Sequence, residues 1–321
     1  MKTVKMKSAS KYLACLAITI SVLISGSAAY GAFTDPVGTT AQVTAAVKSS
    51  ITTKTVSAAV AATLKQFTNT SSSYDLTGPS TYGACDPFNS EALALSPKPC
   101  FFGNLRGSKT IVLIGDSNVG NWVPALSIGL AATPYRLAVF GFSSCGLANL
   151  AYTSSWGSLY ERCRQWHTNV PAAIRALHPV AVLAASGDVG TQYSDTEWAK
   201  GIKNVYASLR SSSTKRILMG TSPFFGESAV TCLTVHPDPQ NCSLAYTPGS
   251  GYYGASLTRD KLIASLSNAT LIDTNKFLCY KDKCSPVIGN ILVYSDIDHI
   301  TIAYSSFISK GITSAVLAAL K

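Results

Sequence analysis

The sequence predicts an α/β protein built on a parallel, doubly wound sheet. Three observations carry this. From Lys109 onward, short apolar runs alternate with stretches of helical period, the rhythm of consecutive strand-helix units. The runs are continuous in Val, Ile and Leu, which fits strands covered on both faces. The first of them, Ile111 to Ile114, ends in Gly115-Asp116-Ser117, at the carboxyl end of a strand, where such sheets place their ligand crevice.

Taken in order, residues 1–32 read as a secretory signal peptide. Lys2, Lys5, Lys7 and Lys11 make a basic start, Tyr12 to about Ile24 an apolar core, and Ser25 to Ala32 a small-residue exit. The core is shorter than the ~20 apolar residues of a spanning helix, so cleavage near Ala29 or Ala32 is expected rather than an uncleaved anchor. No later segment is apolar enough to span. Residues 33–84 form an Ala/Thr-rich helical extension or spacer, in which Val43, Ala46, Val47, Ile51, Val56, Val60 and Leu64 keep a patchy helical period. Asn69 and the serines after it end that period. Residues 76–108, with Gly, Pro and Asn, read as a loop-rich lead-in across the boundary to the main domain, 85–321. Strands are expected over 110–114, 136–140, 180–185, 215–220 and 270–273. Helices are expected over 118–131, 158–177, 195–211, 254–267 and 301–320, the second broken or kinked at Pro171.

Composition narrows the class of function. Of the formal charge of +10, the signal lysines supply four, which leaves 22 basic against 16 acidic residues. The remaining Lys and Arg are scattered singly, without a basic run or interleaved aromatics, so no nucleic-acid partner is expected. Of nine cysteines, Cys15 falls in the signal, leaving an even set of eight. In an exported chain that reads as disulfides. Eight cysteines allow 105 connectivities; closeness in sequence favours Cys85 with Cys100, Cys145 with Cys163, Cys232 with Cys242 and Cys279 with Cys284. There is no C-x2-C pair and the four histidines do not cluster with the thiols, so neither a metal site nor any other cofactor is expected.

A serine at the sharp end of a buried strand either caps the next helix or offers its hydroxyl for chemistry. The second use needs a base to take its proton and a group to orient the base. His167 lies within a helical stretch, His178 at a helix-to-strand turn, and His236 in a Pro-rich loop. His299 differs: it follows Asp296 by three residues and Asp298 by one, in the loop before the last helix. A carboxylate at that spacing can fold back onto Nδ1 and leave Nε2 to accept a proton. The plainer alternative makes Asp298 or Thr301 a helix cap and Gly115-Asp116-Ser117 a turn.

These stretches resemble a known family. "TIVLIGDSNVGNWVPAL" is similar to the first block of SGNH (GDSL-type) hydrolases, "SSCGL" to the stretch after their second strand, and "YSDIDHITIAY" to their closing Asp-x-x-His block. "FFGNLRGSKT", "CRQW", "FLCYKDKCSPVIGN" and the local cysteine pairs resemble the periplasmic SGNH domain fused to membrane acyltransferase-3 proteins. The resemblance implies a three-layer α/β/α flavodoxin-like fold and an exported esterase or O-acyl (acetyl) transferase. Its substrates would be carbohydrate esters of the cell envelope, in a secreted or periplasmic setting. Carried over, Ser117 is the nucleophile, His299 the general base and then acid, and Asp296 its orienter. Asp116 holds the turn through hydrogen bonds. The Ser117 N–H serves the oxyanion, with Gly146 able to present a second.

The chain departs from the family at two places. Asn118 stands where the fused subgroup often has histidine, and either donates to the oxyanion or caps the helix. Around Ser186, the nearest match to the family's third block, Gly-x-Asn-Asp, lacks its asparagine. The partners implied are an acylated carbohydrate or other acyl donor, and a membrane acyltransferase as a separate protein. The competing class is a weakly active or inactive module on the same fold that binds a glycan or an envelope partner.

Overall fold

The computed structural model describes residues 33, 35–69, 85, 90–150, 158–187, 193–209, 214–245, 256–281 and 283–321; the expected signal peptide lies outside them. Two helices open the described chain, α1 (Thr40–Ser50) and α2 (Ala58–Asn69), followed by α3 (Ser90–Leu95) and strand β1 (Cys100–Gly103). The alternating part follows as β2 (Lys109–Gly115), α4 (Val123–Leu130), β3 (Tyr135–Gly141), α5 (Ser158–Arg175), β4 (Ala181–Ala185), α6 (Asp195–Leu209) and β5 (Lys215–Met219). Then come α7 (Ala229–Val235), the two-residue β6 (Leu244–Ala245), α8 (Ser256–Ser267) and β7 (Thr270–Ile272). Four short strands, β8 (Cys279–Tyr280), β9 (Lys283–Cys284), β10 (Val287–Ile288) and β11 (Ile291–Leu292), lead to α9 (Ile302–Phe307) and α10 (Ser309–Ala319).

Every residue of β2 after Lys109 is buried, and this strand is the pivot of the winding. β3 pairs with it on one side and β4 on the other, both parallel. β5 and β7 continue beyond β4, also parallel, to give the order β1-β3-β2-β4-β5-β7. Among the parallel strands this is the flavodoxin-like order, with its switch of direction at β2. The sheet is therefore mainly parallel and doubly wound, as the sequence predicts.

Burial on both faces follows from the pleat, which sends alternate side chains to opposite sides. Ile111, Leu113, Leu137, Val139, Leu183 and Ile217 join one core with Leu126 of α4, Ile312 of α10 and Val43 and Val47 of α1. Val112, Ile114, Ala138, Phe140, Val182 and Leu218 join the other, with Trp166 of α5, Tyr206 of α6 and Ile263 of α8. Helices thus cover both faces, and the continuous apolar runs are explained. A third cluster sets Val60 and Leu64 of α2 against Val230 and Leu233 of α7. All four sequence-local disulfides are present.

Several elements differ from the sequence expectation, among them α3 in the loop-rich lead-in and α7 between β5 and β6. The lead-in contains β1, an antiparallel edge strand on β3, too short to stand out as a run. α5 continues through Pro171; the lost N–H costs one helical bond, and the buried Trp166, Val170 and Ile174 on the same face hold the axis. The helix expected over 118–131 is instead a 3-10 turn, Ser117–Trp122, followed by α4. At their junction the Ser305 hydroxyl accepts from the Ala125 N–H at 3.2 Å and donates to the Asn121 carbonyl at 2.7 Å, which replaces the direct bond between those two groups. The last helix is split at Ile308 and capped by Thr301.

Gly115 ends β2 where β4 comes closest. A Cβ there would overlap the Ala185 carbonyl oxygen and press on Val119, so only glycine lets the two strands meet. Gly115→Ala is expected to destabilise by more than about 3 kcal/mol, in the range of a backbone clash without relief. A urea unfolding midpoint close to wild type would contradict this.

Candidate active site

The turn after β2 is held by Asp116. Its buried carboxylate accepts from the N–H groups of Asn118 and Gly187, each at 2.9 Å, and from the Ser186 hydroxyl at 2.5 Å. Ser186 Oγ in turn accepts from the Leu147 N–H at 3.4 Å. One side chain thereby joins the loops after β2, β3 and β4. Burial pushes the Asp116 carboxyl up to about 6, and its hydrogen bonds restrain the rise. Ser117, anchored next to it, begins the 3-10 turn half-buried at the switch point of the sheet.

The second half of the site is a tight loop after β11. Tyr294 bridges Ile300, and the Ser295 N–H donates to the His299 carbonyl at 2.9 Å. Asp296 sits inside the turn so formed. Its Oδ1 accepts from the N–H groups of Asp298 (3.0 Å) and His299 (2.8 Å), and its Oδ2 lies 2.7 Å from His299 Nδ1. The three-residue spacing works because one oxygen closes the turn while the other meets the ring. His299 Nε2 faces the opposite way and lies 2.9 Å from Ser117 Oγ. Ser117, His299 and Asp296 are therefore brought together across 182 positions of chain. Burial pulls the His299 pKa down, but the Asp296 hydrogen bond and the charges of Asp298, Asp296 and Asp116 outweigh it and leave the ring more basic than usual.

Asn118 is buried beside this pair. Its Nδ2 donates to Asp298 Oδ2 at 3.0 Å, and its Oδ1 accepts from Asn121. Its amide thus engages the histidine loop. Gly146 is buried in the loop after β3, its carbonyl 3.0 Å from His167 Nε2. Burial lowers His167 to about 4, so the ring is neutral and supports that loop from below. His178 follows the turn after α5 in the left-handed region, at φ 46°, and His236 is exposed at the end of α7.

Sequence reasoning missed Asn121. Its side chain is fully buried. The Nδ2 donates to Asn118 Oδ1 (3.0 Å), Ser222 Oγ (3.2 Å) and the Asp298 carbonyl (3.2 Å), while Oδ1 accepts from the Ile300 N–H (2.8 Å). It grips the peptide on both sides of His299. The only signal in the sequence is a second asparagine one 3-10 turn after Asn118.

Among the described residues, two groups bring possible metal ligands together. Asp296, Asp298 and His299 have ligand atoms within 4.8 Å of each other, as do Cys145, Cys163 and His167. In the second group the sulfurs are joined as a disulfide and offer no thiolate. In the first, Nδ1 already meets Asp296 Oδ2 at 2.7 Å and Asp298 Oδ1 at 3.2 Å.

Residues 84–313 match the family described as the SGNH domain fused to AT3 domains. Among curated proteins none matches the sequence. The structure is similar to the periplasmic domain of a lipopolysaccharide acetyltransferase from Salmonella ser. Paratyphi A, with 17% identity and a TM-score of 0.60 over 78% of this chain and 99% of that one. A supposed acylhydrolase of Bacteroides fragilis NCTC 9343 matches at 16% identity and a TM-score of 0.43, over 72% of this chain and 95% of its own. Among the described residues no helix is long and apolar enough to cross a membrane.

Two outcomes follow from these contacts. Asn121→Ala strands several buried partners, each worth about 1–3 kcal/mol when left unmade; a loss of at least about 2 kcal/mol in urea unfolding is expected, and a loss near zero would contradict the assigned bonds. His167 binds its proton more weakly folded than unfolded. Stability is thus complete above pH 6.5 and falls as the pH drops from there to about 4, by about 3 kcal/mol in all. His167→Gln keeps an N–H for Gly146 but cannot charge, and its unfolding midpoints are expected to vary less with pH over that window.

Proposed function

We propose that this chain, which belongs to the SGNH family of domains found fused to AT3 domains, is an exported serine esterase or O-acyl transferase acting on carbohydrate esters of the cell envelope. The family supports an esterase or acyl-transfer kind of activity. The observation that carries the finer reading is the 2.9 Å approach of His299 Nε2 to Ser117 Oγ, with Asp296 Oδ2 2.7 Å behind Nδ1. A carboxylate at Nδ1 keeps the ring proton on that nitrogen, so Nε2 is the acceptor. Four disulfides fit an oxidising compartment.

In this reading the Ser117 proton moves to Nε2 as Oγ bonds to the ester carbonyl carbon. The carbonyl oxygen takes the negative charge, facing the Ser117 N–H at the start of the 3-10 turn, with the Gly146 N–H as second donor. Collapse breaks the bond to the sugar oxygen, which leaves with the proton from Nε2. Water then attacks the acyl carbon, giving a proton to Nε2. Collapse breaks the bond from that carbon to Ser117 Oγ, Oγ takes the proton back from Nε2, and the free acid leaves, which completes a hydrolysis. If a sugar hydroxyl attacks instead, the same residues transfer the acyl group, and a membrane acyltransferase is the natural donor-side partner. Asn118 is committed to Asp298, and the third-block asparagine is absent from the sequence around Ser186. Losing one oxyanion donor costs about 100 to 1000-fold in rate, so modest turnover is expected. The missing donor also favours the second reading, a glycan-binding module of little activity.

Incubation of the chain with a fluorophosphonate probe, followed by intact mass and peptide mapping, is expected to give one adduct, on Ser117. Ser117→Ala should lose both the adduct and p-nitrophenyl acetate hydrolysis. Equal, negligible rates for the two proteins, with no adduct, would leave the binding module.

A further inference from the structure

We propose that Asp298 is a second positioning carboxylate of the histidine, bridging the His299 ring to the amide of Asn118 so that the nucleophile turn and the base loop are held as one unit. The inference rests on the reading of His299 as the base. Asp298 Oδ1 lies 3.2 Å from Nδ1, on the same nitrogen that Asp296 meets at 2.7 Å. Its other oxygen accepts from Asn118 Nδ2 at 3.0 Å, and Asn118 is the neighbour of Ser117. The bridge therefore spans from the ring to the residue beside the hydroxyl that the ring faces.

Two further features are shaped around this bridge. The Asp298 peptide is fixed at both ends: its N–H donates to Asp296 Oδ1 (3.0 Å) and its carbonyl accepts from Asn121 (3.2 Å), which sets the direction of the side chain. Gly187 lies across from the pair, and a Cβ there would come within 2.5 Å of Asn118 Nδ2 and 3.5 Å of Asp298 Oδ2. Glycine leaves the space in which the carboxylate and the amide meet. Asp298 does not cap the last helix; Thr301 does.

Electrostatics gives the bridge a consequence. Facing His299 are Asp296 and Asp298 on its own loop and Asp116 across the turn, while the Tyr294 phenol faces Asp298 from beneath. Two carboxylates meeting one ring N–H favour the charged ring, the form the base takes when it receives the serine proton. Burial raises the Asp298 carboxyl, His299 and Asn118 restrain the rise, and the Asp296 charge adds to it.

The test is a ring-proton NMR titration of His299 in wild type, Asp298→Asn and Asp296→Asn, with the resonance assigned by its loss in His299→Gln. In Asp298→Asn the midpoint is expected to fall by about 1 unit or more, as for loss of an adjacent opposite charge, and the acid limb of kcat/KM for p-nitrophenyl acetate should move down with it. Should that variant not fold, Asp298→Ser carries the same measurement. A midpoint unmoved in a folded Asp298 variant, while Asp296→Asn lowers it, would overturn the proposal. Because the titration needs no turnover, a shifted midpoint in a protein that forms no Ser117 adduct and shows neither esterase nor acyl-transfer activity would defeat the proposed function and leave the Asp298 bridge standing.

Discussion

The site depends on one buried carboxylate in the turn that carries the serine. Asp116 is enclosed by the N–H groups of Asn118 and Gly187 and the hydroxyl of Ser186, and through them it joins three strand ends. An ionised group in that position is costly unless its lone pairs are met. The rise of its pKa to about 6 shows that burial outweighs three good hydrogen bonds. The fold accepts that cost at the switch point of the sheet. Asp116 fixes the start of the turn from which the Ser117 hydroxyl is presented.

A second constraint comes from chain length. The imidazole and the hydroxyl are separated by 182 positions, and closing so long a loop on two side chains alone would give no defined distance. The ångström-level fit comes from Asn121 and Ser305. Asn121 binds backbone on both sides of His299, and Ser305 splices α9 into the junction between the 3-10 turn and α4. Ser309 repeats the device one turn on, donating to the Ala125 carbonyl at 2.7 Å. The final helices are thus pinned to the helix that follows the nucleophile, and the loop between β11 and α9 is carried into register with them.

How much of this was legible in the sequence depends on the range of the interaction. Strand order follows from alternation and handedness, which local patterns report, so all five parallel strands were found close to their bounds. Ser117, His299 and Asp296 were legible because the chemistry restricts residue type and spacing and there are only four histidines. Asn121 was not, because an asparagine reads as a turn or cap until its partners 101 to 179 positions away are known. The split of the 118–131 helix was hidden for the same reason: the hydroxyl that causes it belongs to Ser305. β1 was missed because four residues on an edge carry too little pattern.

The distribution of charge ties these features to the chemistry. Asp116, Asp296 and Asp298 gather around one imidazole in a chain that is basic as a whole. Negative charge on this cluster opposes anionic substrates, and it would also oppose an oxyanion if nothing else changed. In the proposed acyl transfer something does change: as the serine proton reaches Nε2, the ring becomes the cation that the carboxylates at Nδ1 lack in the resting site. The negative charge on the carbonyl oxygen and the positive charge on the ring then appear together, a few ångströms apart, with no net change for the buried site to absorb. A neutral ester is the substrate class for which that compensation is complete, because it brings no charge of its own into the crevice.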